Sequence, residues 1–303
     1  MTQMALQGCA VCLVAGFRTV SVHPGRSDWR TSIRPWREKA MPCWHWWKRG
    51  LWLALLGALL TGCSGWMGPP AEIQYDSQAT RLLMNQLMAT NAGLEAIKGV
   101  GRVTVTTDGT DHTYERAVWV GAEPGRLRFV FRSPTGMPVF SMSCDAEWLT
   151  ALNYADGSYY SRQIGDNSLS RFLPVSVKCA DLYALLVDRP PKVTYDAVRL
   201  DTDQSAADDS MVLLLQRRFR GTVGRIRIDR NTGDLQAVEL LDIHGKRLYE
   251  ARLEAIQTIE GYRLPTRIIL SGPDGGLILD VSRCWPETSV AEDLFRIAPP
   301  PKE

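Results

Sequence analysis

Residues able to act together in chemistry are scarce in this chain of 303 residues with four histidines. His112 and His244, the two in the body of the chain, each lie in or beside a turn with no companion at metal-ligand or catalytic spacing. The acidic clusters Asp108/Asp111 and Asp208/Asp209 fall in turns, where an Asp side chain bonds its own backbone. A Gly-x-Ser-x-Gly elbow and a phosphate-binding loop are both lacking, and Gly99-Val100-Gly101 lacks the third glycine and following helix of a dinucleotide site. The pattern predicts no enzyme, no metal site and no cofactor. One side chain does stand where chemistry is expected, the thiol of Cys63. It ends the run Leu60-Thr61-Gly62-Cys63, behind an apolar stretch over residues 51–60 and the cations Lys48 and Arg49. The stretch is about half the roughly 20 residues that a membrane-spanning helix needs, so it reads as the apolar part of a secretory signal.

Leu60-Thr61-Gly62-Cys63 resembles the bacterial lipoprotein lipobox. That resemblance implies a diacylated Cys63, removal of residues 1–62 and acylation of the new amino group. Residues 1–40 are long and basic for a signal peptide, and Met41 begins a compact basic segment. They are expected to be an over-extended start, with a real basic leader as the alternative. Residues 63–75, with Gly65, Gly68, Pro69 and Pro70, read as a flexible tether, and residues 76–303 as one domain.

Removing residues 1–62 takes eight of the 35 Lys and Arg and two of the 33 Asp and Glu, leaving 27 against 31 and a net charge of −4. A mildly acidic chain has no electrostatic reason to bind nucleic acid. With Cys63 lipidated, Cys144, Cys179 and Cys284 remain, so at most one disulfide forms. A Cys144–Cys179 bridge in an oxidising compartment and three buried thiols are both compatible with the sequence.

The elements follow from hydrophobic period. A helix is expected from about Asp76 or Ser77 to Ala92, with Leu82, Leu83, Leu87 and Met88 on its apolar stripe. From residue 98 the period becomes two, with Val103 and Val105 alternating with Arg102, Thr104 and Thr106. The same alternation places Leu127, Phe129 and Phe131 on one face, and Phe140, Met142 and Cys144 on another. A short turn near residues 168–173 and a helix over residues 180–187, with Leu182, Leu185 and Leu186 on one side, interrupt the strands. Strands resume at 193–200 and run to Trp285. The expected fold is α+β, mainly antiparallel β, an unclosed half-barrel of about eleven strands with helices as a lid over an apolar cavity.

Three segments carry a family resemblance: RSPTGMPVFSM from Arg132, LNYADGSYYSR from Leu152, and LSRFLPVSVKCADLYALLVDRPP from Leu169. With Gly101-Arg102-Val103 and Leu264-Pro265-Thr266-Arg267, they resemble the outer-membrane lipoprotein receptor of the Lol sorting system (the LolB type) and its periplasmic carrier relative (the LolA type). The match spans most of residues 76–285 in short, degenerate motifs. It implies a half-barrel whose cavity holds acyl chains, taking acylated lipoproteins or lipids from a periplasmic carrier and passing them to the outer-membrane bilayer.

Candidate cavity residues are Val103, Val105, Trp119, Phe129, Phe131, Phe140 and Met142, with Leu182, Leu185 and Leu186 as lid. For each, ordinary core packing is the alternative. The loop Pro134, Thr135 and Met137 would face the membrane. The family presents a large aliphatic residue directly after the loop proline; Thr135 stands there, which leaves Met137 for that part. The resemblance also offers Arg102 as a lid-locking arginine, against a solvated strand arginine. Ser64, in place of the Asp that retains lipoproteins in the inner membrane, implies the periplasmic face of the outer membrane of a Gram-negative bacterium. The alternative function is a non-enzymatic envelope scaffold of the same fold without lipid carriage.

Overall fold

A computed structural model describes residues 73–145, 147–163, 169–202, 209–287 and 289–300. The expected leader, the lipidation residue Cys63 and most of the expected tether lie outside these residues. The chain begins with β1 (Gln74–Tyr75), helix α1 (Gln78–Ala89), β2 (Ala96–Thr107), β3 (Thr110–Ala122) and β4 (Arg126–Arg132). It continues through β5 (Pro138–Cys144), β6 (Trp148–Asn153) and β7 (Tyr159–Gln163). A connection holding a 3-10 turn (Leu169–Arg171) and helix α2 (Cys179–Leu186) follows. Then come β8 (Ala197–Asp201), β9 (Ser210–Arg217), β10 (Gly221–Asp229), β11 (Leu235–Leu241) and β12 (Arg247–Ile259). Last are β13 (Tyr262–Gly272), β14 (Gly275–Glu287) and a second 3-10 turn (Glu292–Phe295).

The described strands form one 14-stranded sheet, in the order β1-β8-β9-β10-β11-β12-β13-β14-β2-β3-β4-β5-β6-β7. Each half is an antiparallel meander. The halves fuse where β14 pairs with β2, from Gly275 opposite Thr107 to Glu287 opposite Ala96. β1 lies parallel to β8 at one edge, β7 forms the other, and the sheet does not close. Register slips between Gly101 and Val103 on β2 and between Val281 and Arg283 on β14 raise the local twist where the halves meet. A Cβ on Gly101 would sit 2.1 Å from the Asp280 carbonyl oxygen, so this slip requires glycine.

Alternation makes one face dry. On β4, Leu127, Phe129 and Phe131 are buried between Arg128, Val130 and Arg132, and on β10 Ile226 and Ile228 are buried beside exposed Arg227. α1, α2 and residues 169–178 cover that face, and one apolar core joins Met84 and Leu87 of α1 and Leu182, Leu185 and Leu186 of α2 to the buried strand residues beneath. The outer face is laced with ion pairs, including Glu239 with Arg225 and Arg247, and Arg267 with Asp280. Ser77 caps α1 by accepting from the Thr80 amide at 3.1 Å.

Three expectations are corrected. The sheet has 14 strands, where about eleven were expected: the meander uses every alternating segment, and β1 adds by backbone pairing alone, which leaves no side-chain period to read. Strand pairing begins at Ala197 and not at residue 193, because the chain after Pro190-Pro191 passes over a cleft before reaching the sheet edge. On α1 the buried residues are Thr80, Met84 and Leu87, while Leu82 is 61% and Met88 43% exposed. Both stripes have helical spacing, and the position of the sheet selects one of them.

Candidate functional site

The ten candidate cavity residues gather on the covered face. Val103, Trp119, Phe129, Phe131, Met142, Leu182, Leu185 and Leu186 are buried in one core, with Val105 and Phe140 half-buried against it. Trp119 fits because its strand partner is Gly99, where a Cβ would lie 2.3 Å from the indole ring. Ring contacts continue outward from Trp119 through Phe129, Phe131, Phe140 and Phe172 to Tyr160, at centroid spacings from 5.3 to 6.1 Å. Arg171 stacks 4.5 Å from the Tyr160 ring at the surface end. Phe172 was not legible as a member of this run because it lies on the connection after β7, whereas Tyr160 of β7 stands in cross-strand line with Ala151, Met142, Phe129 and Trp119.

The helical cover is fastened at both ends. Cys144 on β5 and Cys179 at the start of α2 form a disulfide, which resolves the open cysteine reading, while Cys284 is a buried free thiol. Beyond the other end of α2, the largely buried Arg189 guanidinium donates to the Thr90 carbonyl at 3.1 Å and the Leu94 carbonyl at 2.9 Å. It also donates to the Asn91 carbonyl and to Glu123 Oε1, the latter at 2.8 Å. Asn91 Nδ2 in turn donates to the carbonyls of Val187 and Arg263. Arg102, by contrast, is exposed and pairs with Glu115 at 2.7 Å.

Asp188 ends α2 with φ +56 and is 2% exposed, and its Oδ1 has no hydrogen-bond partner among the described residues. Burial, helped by the Asp234 carboxylate and opposed by Arg263, pushes its pKa from 3.8 up to about 7. The folded chain therefore keeps a proton that the unfolded chain has lost, and this group makes stability fall as pH rises from about 4 to about 7. Asn tolerates the same left-handed backbone and does not titrate. Asp188→Asn is expected to stabilise the protein by about 2 kcal/mol at pH 8. The gain should shrink toward pH 4, as measured by denaturant midpoints at pH 4, 6 and 8.

Beside the packed core lies a cleft of about 620 Å³ that the sequence did not reveal. Ser176, Lys178 and Asp181 border it on the helical side, with Lys192, Val193 and Thr194 on the connection from α2 to β8. Val223 of β10, Leu240 and Leu241 of β11, and Leu248 and Tyr249 of β12 line the sheet side. Of these, Val223, Leu240, Leu248 and Tyr249 are continuous with the core. The Tyr249 hydroxyl donates to Asp181 Oδ2 at 3.1 Å, so the one buried carboxylate on this wall is paired. Burial still holds the Asp181 carboxyl above its usual range, against that bond and Lys178. The ten candidate residues line none of the four clefts described for the chain, which fall at this site and on other surfaces.

In the loop read as membrane-facing, Pro134, Thr135 and Met137 are exposed, Met137 by 67%. The Ser133 and Thr135 hydroxyls bond each other at 2.8 Å, which turns Thr135 toward its own loop. Among the described residues no group of three or more His, Cys, Asp or Glu is placed to hold a metal ion. No helix there is long and apolar enough to cross a membrane.

No family model matches the chain, and no curated protein matches it in sequence. Solved structures do match. A domain from Vibrio parahaemolyticus described as a candidate outer membrane lipoprotein-sorting protein domain is 13% identical, with TM-score 0.54, over 72% of this chain and 96% of that one. A DUF1329 family protein from Desulfovibrio piger is 9% identical, with TM-score 0.51, over 72% and 96%. A LolA superfamily protein from Nitrosomonas europaea is 16% identical, with TM-score 0.49, over 72% and 97%. The described chain thus shares the fold of the Vibrio parahaemolyticus and Desulfovibrio piger domains.

Proposed function

We propose that this is a non-enzymatic lipoprotein of the Gram-negative envelope that binds acyl chains on the covered face of its half-barrel. Its access route is the cleft between α2 and strands β10–β12. The supporting observation is that cleft: apolar side chains of three strands, continuous with the core, stand open beside a cover fastened at both of its other margins. A volume of about 620 Å³ lies within the range of small-molecule sites. Each methylene moved from water to such a wall contributes about 0.8 kcal/mol, so a fatty chain needs no catalytic group to be held. In this reading Cys63 carries the anchor, acylated proteins or lipids arrive from a periplasmic carrier, and delivery is to the outer membrane through Pro134, Thr135 and Met137. Val103, Val105, Trp119, Phe129, Phe131, Phe140 and Met142, under Leu182, Leu185 and Leu186, are the inner wall that an inserted chain would reach by displacing core contacts.

The test is uptake of a fluorescent fatty acid by the purified, delipidated protein. Saturable binding is expected, and Val223→Glu, which puts a carboxylate on the half-buried cleft wall, should weaken it by about a hundredfold. Absence of uptake, together with a lipid-free organic extract of the native protein, would reject the reading. Those results would favour the second reading, a scaffold of the same fold. The dense packing around eight of the ten candidate residues speaks for that scaffold.

A further inference from the structure

The turn between β9 and β10 reads Arg217-Arg218-Phe219-Arg220. Phe219 is 95% exposed and sits at φ +66, a left-handed conformation that disfavours a bulky side chain. Glycine or asparagine would relieve the backbone, and a polar residue would remove the exposed ring. Retaining phenylalanine here is thus unfavourable twice in water. Such an outlier is worth reading toward function.

Its neighbours give the ring a setting. Arg218 stacks on it at 5.4 Å, and no carboxylate lies within ion-pair distance of Arg217, Arg218 or Arg220 among the described residues. Arg217 and Arg220 share the cleft rim with Lys178, Lys192 and Ile243, and Ile243 is 61% exposed in the next hairpin tip of the same end. The acidic groups nearby are Asp242 and the Tyr249-bonded Asp181 in the cleft. Asp196 faces the tip from the connection, where its carboxylate accepts the Arg218 amide at 2.6 Å.

Topology adds a direction. Strands alternate, so the β9–β10, β11–β12 and β4–β5 turns lie at one end of the sheet, the last bearing Met137. β1 runs parallel to β8 with Gln74 opposite Ala197, which places Ile73 at that same end, ten residues after Cys63. Ten residues span at most about 35 Å, so an anchor on Cys63 would keep this end near the bilayer.

We propose that the Arg217–Arg220 turn, with Ile243 beside it, is a docking tip for an anionic phospholipid bilayer. Phe219 and Ile243 enter the interfacial layer, and the three guanidinium groups bind lipid phosphates. Aromatic rings flanked by arginines suit that layer, since the ring meets the acyl boundary while the cations stay at headgroup level. Each arginine near an anionic surface contributes about 1 kcal/mol, so Arg217, Arg218 and Arg220 together raise occupancy of the docked state by about a hundredfold. The tip requires no acyl chain in the cleft, so it stands or falls separately from the fatty-acid uptake described above.

Nitroxide labels on Phe219→Cys and Ile243→Cys in the full chain, added to phosphatidylcholine vesicles with and without phosphatidylglycerol, test this. A label on Glu260→Cys, at the opposite end, serves as the control. On anionic vesicles the labels at 219 and 243 should gain contact with dissolved oxygen and lose contact with a soluble nickel chelate, while the label at 260 stays aqueous. The combined R217Q, R218Q and R220Q variant should return the tip labels to water, and circular dichroism checks its fold. Tip labels that remain aqueous on anionic vesicles would overturn the proposal. So would tip labels that enter neutral and anionic vesicles alike, or that are immobilised only by an added protein.

Discussion

Arg189→Leu is expected to cost about 4 kcal/mol, a large share of the roughly 5–15 kcal/mol that holds a domain of this kind together. The guanidinium is 15% exposed and serves three backbone carbonyls, those of Thr90, Asn91 and Leu94, together with the Glu123 carboxylate. Leucine fills part of the volume but removes these donors: the Asn91 carbonyl keeps only the Leu94 amide, the Leu94 carbonyl keeps only the Tyr183 hydroxyl at 3.4 Å, and the Thr90 carbonyl and the Glu123 carboxylate lose their guanidinium bonds. Each unsatisfied buried acceptor costs about 1–3 kcal/mol. The connection from α1 to β2 would then be held to the end of α2 by the Asn91–Val187 and Tyr183–Glu95 bonds without the guanidinium. Arg189→Lys should recover only a minor part, because one ammonium group cannot reproduce the planar fork that reaches several acceptors at once. Arg102→Leu is the comparison. Its exposed pair with Glu115 is worth about 0–1 kcal/mol, so its denaturant midpoint should barely move. Equal losses for the two variants would show that Arg102, and not only Arg189, fastens the cover.

Reduction of the Cys144–Cys179 disulfide, or its replacement by two alanines, is expected to cost about 3–4 kcal/mol and lower Tm by roughly 10 °C. The bridge closes a loop of sequence separation 35, and its main effect is to restrict the unfolded chain. It also joins the first residue of α2 to the last residue of β5, so the variant should loosen the cover on the side away from the cleft. Fatty-acid uptake measured with and without reductant tests that coupling, and faster uptake in the reduced protein is the expected outcome. Cys284 is buried, and burial raises its thiol pKa, so it should stay unreactive toward a maleimide until the chain unfolds. Thiol counting before and after denaturation checks this, and early labelling of Cys284 would show that its strand opens locally.

Much of the sheet was legible because its signals are local. A period of two over residues 98–107 or 127–132 reports a strand with one dry face, whatever that strand pairs with. Turns such as Asp108-Gly109, with φ +51 and +74, announce themselves through residues that tolerate a left-handed backbone. The short 3-10 turn at Leu169–Arg171 and the helix at Cys179–Leu186 fall close to where composition placed them. β1 was missed because two residues carry no period. The α1 stripe was right at Leu83 and Leu87, which pack on the core, and wrong at Leu82 and Met88, because Leu82 and Met84 both belong to apolar rows at helical spacing and only the sheet beneath decides which row is buried.

The candidate site divides in the same way. Sequence alone determined the apolar inner faces of the strands, the two helices and the scarcity of catalytic groupings, and it offered Cys144, Cys179 and Cys284 as candidates for a bridge. Tertiary structure alone decided that β14 pairs with β2, that Cys144 meets Cys179, and that residues near 178, 192, 223, 240 and 249 share a cleft. It also decided that Arg189, and not Arg102, reaches three carbonyls of the α1–β2 connection. The reason is physical: side-chain period is set within a few residues of backbone, whereas the choice between a packed face and an open one depends on which distant segment comes to lie across it.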